Sequence, residues 1–266
     1  MSNAPVRPAF QKPAANELCF CPSGKPFGEC CGNTAAGRAS PYGIHILHNF
    51  LSAAECQALI DAAANSPKHW LEVTTGEGGD GVSEQNNQLR KTREVKLGKQ
   101  AKLAMRPLHR AWTRAVPEVT GMLPQWYEPF QMLCYVKGGF YITHADAERY
   151  VPEHNHWEKT YDRDLSLLIY VNDEFEGGEL HFPFFDYDYS PRAGDLVIFP
   201  SDHRYLHQAQ PVTSGTRYAL VSWAAMKGQP RLFDNLPDGA IDADNPPREA
   251  LPVLERWFGG LLKRGR

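Results

Sequence analysis

The chain has 266 residues, 42% hydrophobic and 22% charged, with a formal net charge of −3. That length holds one large core plus a small module, and the near-balanced charge leaves no strong footprint for nucleic acid or an acidic membrane surface. No apolar run approaches the roughly 20 residues of a bilayer span, and the opening MSNAPVRPAFQKPAANE lacks the apolar core of a signal peptide, so a cytoplasmic protein is expected.

Residues 1–16 are rich in Pro and Ala and are expected to be disordered. Residues 17–34 follow as a cysteine module, with Cys19, Cys21, Cys30 and Cys31 spaced C-x-C-x8-C-C. In a reducing compartment such density reads as a metal site sooner than as disulfides. Four thiolates suffice for a tetrahedral structural Zn(II), and so short a segment needs metal to supply its folding energy. A redox-active cluster is the alternative. Cys56 and Cys134 stand apart in apolar patterns and read as buried small hydrophobes. Residues 35–43 read as a linker.

A globular domain is expected over 44–226. Ser52, three residues before Glu55, forms a capping box, and Cys56, Leu59, Ile60 and Ala63 follow at helical spacing. A second helix is predicted from Lys99 to Val116, broken or kinked at Pro107. SEQNNQLRKTREVK reads as a solvated loop first and a substrate lid second. From about 130 to 226 the pattern turns to short strands: FQMLCYV, FYITHAD, LSLLIYVN, GELHF, DLVIFP, HQAQPV and RYALVSWA. Glycine-bearing turns punctuate them, Ser214-Gly215 among these. This is a mainly β fold with α, a double-stranded β-helix (jelly-roll or cupin-like) core with flanking helices. The extension 227–266 carries Leu251, Leu254, Trp257, Phe258, Leu261 and Leu262 on one helical face, to dock on the barrel or to meet a second copy.

Within FYITHAD, His144 and Asp146 lie two apart, so both point to one face of a strand. They read as two ligands of one metal or as two polar residues facing water. A third ligand must come from elsewhere. His207, at a predicted strand start, is favoured over His203 in a loop. Arg217, alone in an apolar strand, demands an anionic partner, since a buried guanidinium is costly unless paired. Strand register leaves open whether it faces the His207 side, because Pro211 can distort the strand.

QMLCYVKGGFYITHAD, LSLLIYVNDEFEGGEL, AGDLVIFPS and HQAQPVTSGTRYALVSW together resemble the core of the prolyl-hydroxylase-type 2-oxoglutarate/Fe(II) oxygenases. The resemblance implies Fe(II) held by His144, Asp146 and His207, the facial triad of two imidazoles and a carboxylate. It also implies 2-oxoglutarate as cosubstrate, its far carboxylate on Arg217 and a contact from Tyr135. Tyr141 is a weaker contact of the same kind, and L-ascorbate is the expected reductant. His154 and His156 read as solvated loop residues or as a substrate-entrance contact. The stretch NELCFCPSGKPFGECCG resembles the SEC-C zinc motif, departing from it at Pro22 and in having fewer lysines before the last cysteines.

The leading expectation is a hydroxylase of a protein side chain, prolyl by analogy, with the zinc module docking it to a partner. Hydroxylation of a free amino acid or small metabolite is an alternative, as is a metal-stabilised scaffold. A cupin enzyme working without 2-oxoglutarate is disfavoured by Arg217, for which it has no use.

Overall fold

A computed structural model describes residues 14–19, 23–33, 40–75 and 82–247. Cys21 and the amphipathic face read at 251–262 lie outside the described residues, as does most of the N-terminal segment. The first half supplies β1 (His45–Leu47), α1 (Ala53–Ala64), β2 (Lys68–Trp70), β3 (Val73–Thr75), β4 (Val82–Glu84), β5 (Arg90–Lys91) and β6 (Arg93–Val95). Then come α2 (Lys102–Arg110), α3 (Val116–Thr120) and β7 (Pro124–Tyr127). The second half is nearly all strand: β8 (Gln131–Val136), β9 (Phe140–His144), β10 (Glu148–Val151), β11 (His156–Lys159), β12 (Leu165–Tyr170), β13 (Phe175–Gly177) and β14 (Leu180–Phe182). It ends with β15 (Tyr187–Tyr189), β16 (Leu196–Pro200), β17 (His207–Ala209), β18 (Val212–Met226) and β19 (Ile241–Asp242).

Two antiparallel sheets form the jelly roll. The larger runs β1-β16-β12-β18-β8-β6-β2 and the smaller β15-β14-β17-β9-β5. Central strands of the larger sheet are buried on both faces, and strand alternation divides their side chains between two cores. Leu167, Ile169, Ile198, Leu220 and Met132 face a core shared with Leu59, Leu108 and Trp112 of the helical layer. Leu168, Tyr170, Val197, Ala219 and Leu133 belong to a second core with Phe182 and Leu180 of the smaller sheet. The larger sheet is thus held rigid from both sides.

In the helical layer, α1 begins with the predicted capping box: Ser52 accepts from the Glu55 amide while the Glu55 carboxylate accepts from the Ser52 amide. Trp112 is fully buried and its indole N–H donates to Ser222 Oγ at 3.0 Å, fastening helix to sheet. Trp112→Ala should cost about 3–5 kcal/mol, read as a shift in a denaturant unfolding curve; a shift under about 1 kcal/mol would mean the layer adds little.

Three expectations change. The second helix is α-helical over Lys102–Arg110, with Pro107 inside it, and its irregularity is a π-helical turn at Ala111–Ala115. That wide turn ends two residues before Pro117, whose ring would meet the Thr113 carbonyl in a regular α-helix. The polar stretch read as a loop instead contributes β5 and β6, which pair with β9 and β8. Thr92 and Val95 are its buried anchors, between long charged side chains that stay near the surface. Finally, HQAQPV is not one strand ending at Ser214-Gly215. The break falls at Gln210-Pro211, where proline supplies no ladder N–H, and β18 runs on through Gly215. Gly215, at φ +75°, lets Phe175 and the Glu174 carbonyl approach its backbone closely.

Candidate active site

The ends of two neighbouring strands create the site. His144 closes β9 and His207 opens β17, and the two are register partners across the smaller sheet. Asp146 follows two residues after His144. His144 Nε2 lies 3.6 Å from Asp146 Oδ1, and His207 Nε2 lies 3.6 Å from Asp146 Oδ2. One ligand atom from each residue falls within 4.8 Å of the others.

Backbone carbonyls set the tautomers. His144 Nδ1 is 2.7 Å from the Ile142 carbonyl, and His207 Nδ1 is 3.1 Å from the Tyr205 carbonyl. A carbonyl only accepts, so in each neutral ring Nδ1 carries the hydrogen and Nε2 offers its lone pair to the cluster. Burial pushes His207 down to about 4, keeping it neutral at physiological pH against the pull of Asp146. Burial opposes the charge on Asp146, but the two imidazoles and the Ser166 hydroxyl overcome it and hold the carboxyl well below the ordinary carboxylate range. Two imidazoles and one carboxylate, converging at a largely enclosed site, fit a divalent iron ion.

Ser166 on β12 aims the carboxylate: its Oγ donates to Asp146 Oδ2 at 2.6 Å and lies 2.8 Å from Ser201 Oγ. An outer partner of this kind is generally worth 10–100-fold in metal affinity. Ser166→Ala should therefore weaken Mn(II) binding roughly tenfold, measured by loss of the free-ion EPR signal; an unchanged affinity would remove its aiming role.

The face taken by Arg217 follows from alternation along β18. Residues 217, 219, 221 and 223 point inward, and Arg217 is the register partner of Tyr135 on β8. Its guanidinium is 1% exposed, lies 4.7 Å from the Tyr135 ring centroid, and donates through Nη2 to the Tyr170 hydroxyl at 3.1 Å. Among the described residues, its Nε and Nη1 have no hydrogen-bond partner. A buried cation with idle N–H donors fits an anionic group such as a carboxylate.

Arg217, Tyr135, Tyr141 and the three clustered residues all line one cavity of about 870 Å³. Tyr141 stacks on His144, ring centroids 3.7 Å apart. His203 sits apart in a short turn, bonded to Glu148. His154 and His156 belong to the β10–β11 hairpin, in which His156 pairs with Glu158, and neither lines the cavity. Several residues that line the cavity or support its polar groups escaped the sequence reading. Tyr170 and Ser166 sit in LSLLIYV, where a lone serine in an apolar strand was the available signal. Arg163 pairs with Glu128 and donates to the Asp146 carbonyl at 3.1 Å. Arg90 lies over the Tyr141 ring.

Outside the cavity, Cys19, Cys30 and Cys31 bring their sulfurs within 4.8 Å of one another, all buried. Three convergent thiols fit three positions of a tetrahedral zinc site. Burial pushes Cys56 up to about 11 and Cys134 upward, as expected for inert core thiols.

A jelly roll with a largely enclosed two-histidine, one-carboxylate cluster and an arginine deep in the same cavity defines a non-haem iron oxygenase class. Residues 130–225 match the family described as the 2OG-Fe(II) oxygenase superfamily. A PKHD-type hydroxylase of Pseudomonas fluorescens is 30% identical over 59% of this chain and 72% of its own. One of Psychrobacter sp. is 27% identical over 68% of each chain. A probable prolyl 4-hydroxylase of Arabidopsis thaliana is 28% identical over 66% of each, just under two thirds of its length. A solved prolyl hydroxylase of Trichoplax adhaerens, in complex with a hypoxia inducible factor oxygen degradation domain peptide fragment, shares the fold at 19% identity. Its TM-score is 0.50, with 69% of this chain and 83% of that one covered. The chain belongs to the 2OG-Fe(II) oxygenase superfamily and is prolyl 4-hydroxylase-like within it. Among the described residues, no helix is long and apolar enough to cross a membrane.

Proposed function

We propose that the protein hydroxylates a side chain of a protein substrate, a prolyl residue in the first instance, using Fe(II) and 2-oxoglutarate and releasing succinate and CO2. The observation that carries this reading is the sharing of one cavity by the imidazole–carboxylate cluster and a buried arginine with idle N–H donors. When bound, iron and 2-oxoglutarate supply the oxidation: one atom of O2 enters succinate and the other converts a substrate C–H to C–OH.

The chain's own residues bind and orient. His144, Asp146 and His207 would hold the iron, with the Ile142 and Tyr205 carbonyls and the Ser166 hydroxyl fixing each ligand's aim. Arg217 and Tyr135 would hold 2-oxoglutarate, with Tyr170 steadying the guanidinium. Leu133, Leu168, Leu180 and Val221 form apolar walls of the cavity and limit water there. L-ascorbate would restore iron to Fe(II).

A macromolecular substrate is supported by the rim. Tyr161, Leu232 and Phe233 line the cavity yet are 49%, 46% and 59% exposed. The buried Asp162 carboxylate holds the strap, accepting from the Leu232 and Phe233 amides at 2.8 and 3.0 Å. An anchored apolar rim around a polar floor suits a peptide side chain entering from a larger surface. The prolyl assignment rests on the named relatives. The cysteines are read as a zinc site, Cys21 as its fourth ligand, in a cytoplasmic protein.

A proline-containing peptide library, incubated with enzyme, Fe(II), 2-oxoglutarate and ascorbate, tests the substrate. Mass spectrometry should find one added oxygen on a prolyl residue. Hydroxylation of free amino acids with every peptide untouched would transfer the reading to a small-molecule hydroxylase.

A further inference from the structure

We propose that the cysteine module is a positioning element for the iron site, holding His207 through Phe27, Phe185 and Tyr205. This rests on reading the cysteines as a zinc site and His207 as an iron ligand. Cys19, Phe27, Cys30 and Cys31 are buried in the same apolar cluster as Phe182, Phe199 and Tyr205 of the barrel. The module therefore shares the barrel's core.

The contacts form a continuous series. Phe27, 2% exposed, meets Phe184 edge-on with ring centroids 5.4 Å apart. Phe184 meets Phe185 at 5.1 Å, and Phe185 meets Tyr205 at 5.5 Å. Tyr205 is pinned from a second direction. Its hydroxyl donates to the Tyr42 carbonyl at 2.9 Å, and a Cβ on Gly43 would collide with that hydroxyl. Gly43 has a φ of +82°, so the backbone approaches Tyr205 in a conformation other residues rarely adopt. The Tyr205 carbonyl then accepts from His207 Nδ1 at 3.1 Å, the bond that fixes the ring's tautomer and direction.

The energetics run in the same direction. The module is too short to fold on its own apolar burial, so bound metal would fix the loop that carries Phe27. Phe27 fills space under Phe184, and a close-packed interior yields little to its neighbours while that space is filled. Losing Phe27 opens a cavity beside Phe184 and Phe185, frees the turn at Tyr205 to shift, and loosens the aim of His207. Disturbing a ligand's outer partner generally costs 10–100-fold in metal affinity.

The test uses the full-length chain, with Mn(II) as the probe of the iron site, read by EPR, and zinc content read after acid release. Wild type, zinc-stripped wild type, Phe27→Ala and Tyr205→Phe are compared. Phe27→Ala should retain zinc, since its thiols are untouched, and should weaken Mn(II) binding roughly tenfold. Zinc-stripped protein should show a similar loss. Tyr205→Phe keeps ring and carbonyl but loses the bond to Tyr42, and should weaken binding by a smaller factor; it decides the matter if Phe27→Ala loses zinc or fails to fold. Mn(II) affinity unchanged in all three, with zinc bound to wild type, overturns this inference alone. A wild type that takes up no zinc overturns the metal reading of the cysteines, and one that takes up no Mn(II) overturns the iron reading.

Discussion

Arg217→Met should raise the thermal stability of the ligand-free protein and abolish its response to 2-oxoglutarate. In the folded chain Arg217 is 1% exposed, and Nε and Nη1 are buried without hydrogen-bond partners among the described residues. Desolvating a charge is expensive, and replacing buried ionic groups by apolar ones of similar volume commonly stabilises by about 1–4 kcal/mol. Methionine is flexible enough to fill the space between Tyr135 and Tyr170. Unfolding of the variant should accordingly move up by several degrees. The cost appears on binding: 2-oxoglutarate loses the cation that grips its far carboxylate, and truncating one partner of such a buried pair costs 2–5 kcal/mol or more. Calorimetry should find the 2-oxoglutarate Kd raised roughly a hundredfold or beyond. An unchanged Kd removes Arg217 from the cosubstrate site. A marked fall in stability would mean that the guanidinium is a structural group with an anchor in the fold itself.

Asp146→Ala should abolish metal binding with little effect on the fold. Asp146 is the one carboxylate of the cluster, within 3.6 Å of both Nε2 atoms. Two imidazoles alone lack the negative charge and third ligand that a divalent ion needs, so Mn(II) affinity should fall by more than the roughly 10–100-fold typical of an outer partner. The surroundings tolerate the change. Ser166 keeps Ser201 as a hydrogen-bond partner, and Arg163 reaches the backbone carbonyl of residue 146 rather than the side chain. Circular dichroism should show the wild-type spectrum with a lower melting temperature, since a carboxyl held below its ordinary range stabilises the fold at neutral pH. Metal binding retained at the wild-type affinity would mean that the ion sits elsewhere.

Strand alternation made much of this legible in advance. H-x-D flagged two ligand groups, although β9 ends at His144 and Asp146 reaches the cluster from the bend beyond it, and β12, β16 and β18 announce themselves as long apolar runs between glycine-bearing turns. The face of Arg217 needed the third dimension: Pro211 breaks the strand, so counting back from Arg217 to His207 gives no register, while pairing with Tyr135 does. Tyr170 was hidden for the same reason. Its hydroxyl meets Arg217 across neighbouring strands, 47 residues away in sequence. β5 and β6 are two and three residues long and mostly charged, so they carry too little apolar pattern to announce a strand. The packing of Phe27 on Phe184 joins segments with no local signal at all.

The most direct test of the central claim is succinate release from 2-oxoglutarate, by anaerobically purified protein given Fe(II), O2 and ascorbate and no other substrate. Wild type should release succinate slowly and His144→Ala should release none, because removing one imidazole empties the ligand set. Release at the wild-type rate from His144→Ala would contradict the iron site, and absence of both release and 2-oxoglutarate binding in metal-loaded wild type would contradict the oxygenase reading.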